Sequence, residues 1–193
     1  MASDGHQPLI VGIGGTPRQG SSTELALTAA LRTARDAGAE TLLFDGRFLA
    51  RLPHFHPNGE PPTPEQAQLA DAVSRADGLI IASPGYHGSI SGLVKNALDT
   101  LELLREDTRP YLHNRAVGAI VTADGWQAAG ATLAALRAII HAMRGWPTPF
   151  GAALNATSQL FDSAGDCREP KDAWQLATVA EQVLEFARLR ADA

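Results

Sequence analysis

Residues 16–23 contain four hydroxyl side chains and one arginine, and they lie between a buried apolar run and an amphipathic stretch. Residues 14–23 read Gly-Gly-Thr-Pro-Arg-Gln-Gly-Ser-Ser-Thr, and a helix is predicted to begin at residue 22. A helix N-terminus offers unpaired backbone N–H groups and a partial positive charge, and an arginine adds a planar charged donor. Together these groups suit a terminal phosphate monoester. The predicted phosphate ligands are Thr16, Arg18, Ser21, Ser22 and Thr23.

Two other phosphate motifs are excluded by the same residues, and one simpler role stays open. The loop is not a Walker A loop, because no Gly-Lys-Ser/Thr ends it. Gly12 and Gly14 match the first two glycines of the dinucleotide fingerprint, but Pro17 occupies the third position. The simpler alternative is that Ser21 or Ser22 only caps the helix, a role for which one hydroxyl suffices.

A second unusual segment, residues 83–92, reads Ser-Pro-Gly-Tyr-His-Gly-Ser-Ile-Ser-Gly. Its glycines permit close backbone approach, so backbone N–H groups can meet a flat heteroaromatic ring flanked by Tyr86 and His87. The alternative is an ordinary strand-to-helix turn in which Tyr86 fills a groove. His87 can donate a proton to an acceptor or make a structural bond in the turn. The candidate ligands here are Pro84, Gly85, Tyr86, His87 and Gly88.

Both segments need a scaffold that brings them together, and the apolar pattern of the chain predicts one. Short apolar runs predict strands over 9–13, 40–44, 78–83, 116–122 and 149–154. Helices are predicted over 22–37, from 63 onward, and over 92–104, 130–144 and 172–190. Strands apolar on every residue, separated by helices, indicate a parallel sheet covered on both faces. The predicted fold class is α/β, a flavodoxin-like doubly wound five-stranded sheet of order 2-1-3-4-5 that binds ligands at the carboxyl ends of its strands.

Length and charge limit the remaining possibilities. The chain has 193 residues, which predicts one domain over 1–193, with residues 1–7 flexible and no secretory signal. The net charge of −5, with only two lysines and scattered arginines, argues against nucleic acid or an anionic membrane as a partner. No apolar run is long enough to cross a bilayer. The single cysteine allows no intramolecular disulfide and fits the cytoplasm.

The two segments together resemble the two signatures of the NADPH-dependent FMN reductase family. Residues 14–23 are similar to its Gly-Ser-x-Arg-x-x-Ser phosphate loop. Residues 83–102 are similar to its second signature, commonly Ser-Pro-Glu-Tyr-Asn-Gly-Ser-x-x-Gly-x-x-Lys-Asn-Ala-Leu-Asp, and residues 52–60 resemble its segment after strand 2. The chain departs from the usual pattern at Thr16 (commonly Ser), Gly85 (commonly Glu) and His87 (commonly Asn). The last two departures bear on the acceptor preference.

The resemblance implies an FMN-dependent oxidoreductase that takes hydride from NADPH or NADH and reduces a flavin, quinone or similar small acceptor by a ping-pong mechanism. It implies that residues 16–23 hold the FMN phosphate, that residues 84–88 line the isoalloxazine, and that no side chain is an obligate catalyst. Lys95, Asn96 and Asp99 would be structural, on a helix that packs in a homodimer or homotetramer. A flavin-dependent monooxygenase is a further implied partner. The alternatives are a flavodoxin-like electron carrier and a non-catalytic FMN-binding protein.

The histidines of residues 54–56 and the single cysteine are not predicted to form a functional site. His54 and His56 have no clear third ligand, so no metal site is predicted. Cys167 lies in a polar segment without a nearby base, so it is not predicted to be a catalytic thiol.

The three tryptophans are candidates for the pocket wall, the core or an interface. Trp126 follows the fourth strand on the ligand side of the sheet, where it can form a wall for the nicotinamide or acceptor, or a dimer contact. Trp146 and Trp174 are predicted to pack in the core or at an interface.

Overall fold

The structure is a computed structural model that describes residues 6–57 and 61–191. Most of the segment predicted to be flexible, residues 1–7, lies outside the described residues, as do residues 58–60 of the segment after strand 2. Within the described ranges, no helix combines the length and the apolar character that a bilayer crossing requires.

One mixed sheet forms the centre of the molecule. Its strands are β1 (Leu9–Gly14), β2 (Glu40–Phe44), β3 (Gly78–Tyr86), β4 (Ser89–Ile90), β5 (Ala116–Ala123), β6 (Trp146–Pro147) and β7 (Ala152–Asn155). The order is β2-β1-β3-β5, and β6 and β7 pair with successive parts of the outer side of β5. β4 pairs antiparallel with the end of β3, whereas the other pairings among these strands are parallel. The flavodoxin-like α/β class is confirmed. The strand order agrees with the predicted one from β2 to β5, but it differs in detail, because β4 is an added strand and β6 and β7 share the place of the fifth predicted strand.

The helices cover both faces of this sheet. They are α1 (Ser22–Asp36), α2 (Gly46–Leu49), α3 (Pro64–Arg75), α4 (Gly92–Thr100), α5 (Trp126–Ala142) and α6 (Pro170–Ala191), and a 3₁₀ turn at Leu101–Leu104 follows α4. Successive strand residues point to opposite faces. Ile10 and Ile80 therefore pack with α1 and α6, whereas Val11 and Leu79 pack with α3, α4 and α5. Burial on both sides is why the central strands β1, β3 and β5 are apolar over most of their length.

The start of α3 shows the predicted local signals. Thr63 is the N-cap, its hydroxyl accepts a bond from the Gln66 backbone N–H at 3.3 Å, and the Gln66 side chain accepts one from the Thr63 N–H at 3.0 Å. Pro64 occupies the first helical turn, where its missing N–H costs nothing. This confirms the predicted capping box.

Several boundaries differ from the prediction. The irregular stretch 46–62 contains α2, because the Asp45 carboxylate caps it by accepting a bond from the Phe48 N–H at 2.7 Å. Helix α5 begins at Trp126 rather than at residue 130, because Gly125, with a φ of 100°, makes the turn. Gly130 is an exposed position inside the helix. The fifth predicted strand, 149–154, overlaps only β7, and β6 is a separate short strand that lies before the predicted range.

Trp146 and Trp174 are not in the core. Their side chains are 58% and 60% exposed, because Trp146 lies on the edge strand β6 and Trp174 lies off the buried stripe of α6. Each contacts one phenylalanine at the surface, Trp146 with Phe186 (ring centroids 5.9 Å apart) and Trp174 with Phe150 (5.2 Å). The core alternative for these residues is wrong, and the interface alternative stays a prediction.

Candidate functional site

A pocket of about 350 Å³ lies at the carboxyl ends of β1, β3 and β5. A pocket of similar volume, about 340 Å³, lies at the opposite edge of the sheet, where residues such as Asp77 and Asn114 precede their strands. Parallel sheets bind ligands at their carboxyl ends, so the first pocket is the candidate site. Its lining comprises Thr16, Arg18, Ser21, Ser22, Thr23, Pro84, Gly85, Tyr86, Thr122, Ala123, Asp124, Ala128 and Ala156.

The fold thus brings the two chemically unusual segments of the sequence into one pocket. All five predicted phosphate ligands line it, together with Pro84, Gly85 and Tyr86. His87 and Gly88 lie at the tip of the adjoining hairpin and are not part of the lining, so their contact with a bound ring stays a prediction.

The first turn of α1 forms the polar end of the pocket. Ser21 is the N-cap, and its hydroxyl accepts a bond from the Glu24 N–H at 3.2 Å. Ser21 therefore caps the helix, and it also lines the pocket. The backbone N–H groups of Ser22 and Thr23 have no acceptor among the described residues. They are donors of the kind that hold an anion at a helix N-terminus.

Arg18 adds charge to this end of the pocket. Its side chain is exposed and makes no ion pair within the described part of the chain. The loop is ordered internally, since the Thr16 hydroxyl donates to the Arg18 carbonyl at 3.3 Å. Asp124 brings a carboxylate to the lining, but it enters from the end of β5 rather than from this loop. The loop therefore offers hydroxyl, amide and guanidinium donors to an anion.

Glycines let the backbone of this loop sit close to its neighbours. A Cβ on Gly14, whose φ is 153°, would lie 2.0 Å from the Ala82 carbonyl oxygen of β3. A Cβ on Gly46, at the start of α2, would lie 2.0 Å from the Thr16 carbonyl oxygen. Gly46 therefore sets the position of the loop. Sequence reasoning missed it, since it carries no functional group and lies far from the loop along the chain.

The second segment is a β-hairpin, where the sequence predicted a strand ending at residue 83 and a loop. Gly85 pairs with Ile90 and Tyr86 with Ser89, leaving His87 and Gly88 as a two-residue turn. Their φ values, 52° and 82°, are those of a type I′ turn, which favours Asn-Gly. The usual asparagine of the family at this position is therefore explained by backbone conformation, and His87 adopts the same conformation at some cost.

We expect His87→Asn to raise the free energy of unfolding by roughly 0.5 kcal/mol and His87→Val to lower it by about 1–2 kcal/mol, because a β-branched residue resists positive φ most strongly. Thermal unfolding followed by circular dichroism measures both effects. His54→Asn is the control, since His54 is exposed and is not among the residues with positive φ. A lower unfolding temperature for His87→Asn would contradict the turn argument.

Helix α5 explains the second departure from the family pattern. A Cβ on Gly85 would lie 2.8 Å from the Ala123 Cβ and 2.9 Å from the Thr132 Oγ1. Thr132 is fully buried, so the space that a glutamate side chain would need is filled. At this point the pocket therefore presents backbone, with Tyr86 exposed at its rim.

Helix α4 holds the segment that precedes α3. The Asn96 side chain accepts a bond from the Phe55 N–H at 2.9 Å and donates to the Pro53 carbonyl at 3.0 Å. Lys95 and Asp99 form an ion pair at 2.7 Å on the same helix. These contacts support the structural role that the resemblance implies for the three residues.

Trp126 lies near the pocket but not in its lining. It is the first residue of α5 and is 57% exposed, and the Lys171 Nζ lies 6.0 Å from the ring centroid. Both roles considered for it, acceptor wall and dimer contact, stay predictions.

The other reactive side chains lie away from the pocket. His54 and His56 line a separate groove with Phe55 and Thr63, and no group of three or more candidate metal ligands occurs in residues 6–57 and 61–191. Cys167 is half-buried, and this burial raises the pKa of its thiol. A raised pKa disfavours the nucleophilic thiolate.

Five lining residues were not among the predicted ligands. Thr122, Ala123 and Asp124 stand at or just after the end of β5, whereas Ala128 lies in α5 and Ala156 follows β7. The rule that ligands bind at carboxyl ends of strands could have found the first three. Nothing in the local sequence marks the two alanines.

Comparison with known proteins points to one family. The sequence model of the family described as NADPH-dependent FMN reductase matches residues 8–159. A curated relative, NADPH-dependent FMN reductase ArsH of Shigella flexneri, is 27% identical over 189 residues, which cover 98% of this chain and 72% of that protein. FMN reductase (NADPH) of Pseudomonas putida is 33% identical over 93 residues, covering 48% and 46%.

Among solved structures, the flavoenzyme NAD(P)H:(acceptor) oxidoreductase FerB of Paracoccus denitrificans superimposes with a TM-score of 0.72. The match covers 94% of this chain and 98% of that one at 20% identity. At this level of identity the similarity concerns the fold alone.

Proposed function

Since this chain belongs to the NADPH-dependent FMN reductase family and is thus an FMN-dependent oxidoreductase that uses NAD(P)H, we propose that its pocket at the carboxyl ends of β1, β3 and β5 binds FMN. Residues 16–23 would hold the phosphate, and Pro84, Gly85 and Tyr86 would contact the ring. A small molecule such as a flavin or quinone would be the acceptor.

One observation carries this proposal: the donors of residues 16–23 and the backbone of the β3–β4 hairpin line the same pocket. The donors are chemically suited to a phosphate monoester, since they surround one helix N-terminus. They are hydroxyls, the Ser22 and Thr23 N–H groups and the Arg18 guanidinium, and these N–H groups have no acceptor in the part of the chain that the structure describes. When bound, FMN would supply the redox chemistry. The chain's own residues then have the tasks of binding the phosphate and orienting the ring.

We expect Arg18→Gln to weaken FMN binding by about tenfold to a hundredfold, because it removes a charge-assisted hydrogen bond to the phosphate. Titration of the apoprotein with FMN, followed by flavin fluorescence, measures the dissociation constant. Arg35→Gln is the matched control, since it removes the same charge from the last turn of α1, at the far end of that helix. Equal FMN affinity in Arg18→Gln and wild type would contradict the assigned role of Arg18.

Turnover is tested by adding NADPH or NADH to the FMN-loaded protein without oxygen, followed by a quinone. Bleaching of the flavin absorbance and its recovery with quinone are expected. Flavin that stays oxidised with both nucleotides would instead favour the electron carrier or the non-catalytic FMN-binding protein. No FMN binding at all would overturn the proposal.

Assembly and location are further parts of the proposal. We propose a homodimer or homotetramer that uses the face around α4, where Leu103 is exposed beside a groove that includes Phe55. Light scattering coupled to size exclusion tests this, and a monomer would contradict it. A flavin-dependent monooxygenase as partner rests on the family resemblance, and a cytoplasmic location rests on the single cysteine.

A further inference from the structure

We infer that Thr122 is a further positioning residue of the pocket, which directs the hydroxyl of Thr23 toward a phosphate oxygen of FMN. The inference rests on the proposed function. Thr122 lies near the end of β5 and was not among the predicted ligands, whereas Thr23 lies in the first turn of α1.

The two threonines form a buried pair that bridges these elements. Their Oγ1 atoms lie 2.6 Å apart, a short hydrogen bond between two hydroxyls. Thr23 is 2% exposed and Thr122 is 4% exposed, and both residues line the pocket. The pair therefore faces the space in which the ligand would bind, and it connects the phosphate end of the pocket to β5.

The two hydroxyls of this pair carry two donor protons, and the bond between them uses one. The second proton has no acceptor among the described residues. Buried donors in folded proteins are almost always paired, so an oxygen of a molecule in the pocket is the expected partner.

The surroundings of Thr23 indicate which oxygen this is. Its own backbone N–H is without an acceptor among the described residues, and Ser22 and Arg18 stand beside it in the same lining. An anion at this helix N-terminus would accept from all of these groups, so the phosphate is the favoured acceptor. Thr122 then donates to Thr23, and Thr23 donates onward to the phosphate. Thr122 acts through Thr23 and need not contact the ligand.

The test uses Thr122→Val, which keeps the shape of the side chain and removes the hydroxyl. Without this donor, the Thr23 hydroxyl loses its fixed orientation, and we expect the dissociation constant for FMN to rise about five- to tenfold. Riboflavin, which lacks the phosphate, should bind Thr122→Val as it binds wild type. Thr122→Ser restores the hydroxyl and should bind FMN within about twofold of wild type.

Thr100→Val is the matched control. Thr100 is also fully buried, but its hydroxyl donates to the Asn96 carbonyl within α4, outside the pocket lining. It should lose some stability and keep wild-type FMN affinity. Circular dichroism of each variant verifies that it is folded before the titrations are compared.

Two results would overturn the inference while leaving the proposed function in place. One is wild-type FMN affinity in folded Thr122→Val. The other is an equal loss of FMN and riboflavin affinity, which would mean that the acceptor is not the phosphate. If wild type itself binds no FMN, the proposed function and this inference fail together.

Discussion

Replacing Gly46 with alanine is expected to weaken FMN binding at least about tenfold, a loss of about 1.4 kcal/mol, although residue 46 is not in the pocket lining. The added methyl group would lie 2.0 Å from the Thr16 carbonyl oxygen and 2.3 Å from its carbonyl carbon. Backbone atoms cannot rotate away as a flexible side chain can. The phosphate loop must therefore move, and its N–H and hydroxyl donors would leave the geometry that suits the phosphate. Overpacking also costs about 1–3 kcal/mol of stability.

Titration with FMN and thermal unfolding separate these two effects. Gly130→Ala is the control, because a Cβ there meets nothing within 4 Å and the position is exposed within α5. Alanine stabilises a helix interior by up to about 1 kcal/mol relative to glycine, so this variant should gain stability and keep its FMN affinity. If Gly46→Ala loses stability but binds FMN like wild type, the loop can shift without consequence for the ligand, and Gly46 does not position it.

Arg115→Met is expected to cost about 3 kcal/mol or more of unfolding free energy, because the buried Ala76 carbonyl and several half-buried carbonyls lose a donor at once. Arg115 is fully buried just before β5. Its Nε donates to the Ala76 carbonyl at 2.9 Å, its Nη1 to the Tyr111 carbonyl at 3.1 Å, and its Nη2 to the Ser74 carbonyl at 2.6 Å. Longer bonds of 3.4 Å reach the carbonyls of Arg109 and His113.

This guanidinium remains charged at neutral pH. Burial, with a contribution from Arg109, lowers the pKa of Arg115 to about 10, which is still well above 7. Backbone carbonyl dipoles rather than a carboxylate accept the hydrogen bonds of this guanidinium. The arginine therefore ties the loop that enters β5 to the loop that enters β3.

Chemical denaturation measures the effect of Arg115→Met. Arg109→Met is the matched control, since Arg109 donates to the same Ser74 carbonyl from a half-buried position and should cost about 1 kcal/mol. FMN affinity of the folded fraction should not change, because Arg115 stands at the end of the sheet opposite the pocket. A loss for Arg115→Met no larger than that for Arg109→Met would show that the carbonyls find other partners.

The amino-acid sequence alone determined the elements whose signals are local. Apolar runs located β1, β3 and β5, because the central residues of these strands are buried on both faces of the sheet. The edge strand β2 is partly exposed, and its shorter apolar run, residues 42–44, was enough to locate it. The capping box of Thr63 and Gln66 marked the start of α3, since the two residues that bond to each other are only three positions apart. The donors of residues 16–23 predict an anion site by signals that are equally local, because all of them belong to one loop and one helix turn.

Features that depend on partners far along the chain were not predictable in this way. The hairpin at the end of β3 looked like a loop because glycine, proline and serine are loop residues, and only pairing with Ser89 and Ile90 makes it a strand. The exposure of Trp146 and Trp174 follows from their places on the sheet edge and on the outer side of α6, which composition does not reveal.

Tertiary structure alone decided which residues that are distant in the sequence contact one another. Thr23 and Thr122 are 99 positions apart in the sequence, and Arg115 donates to a carbonyl 41 positions away. Gly46 matters only because folding brings the carbonyl of Thr16 against it. A residue's type and its immediate neighbours fix which bonds it can make. Which group it meets depends on the order of the strands, and that order is set by packing over the whole sheet.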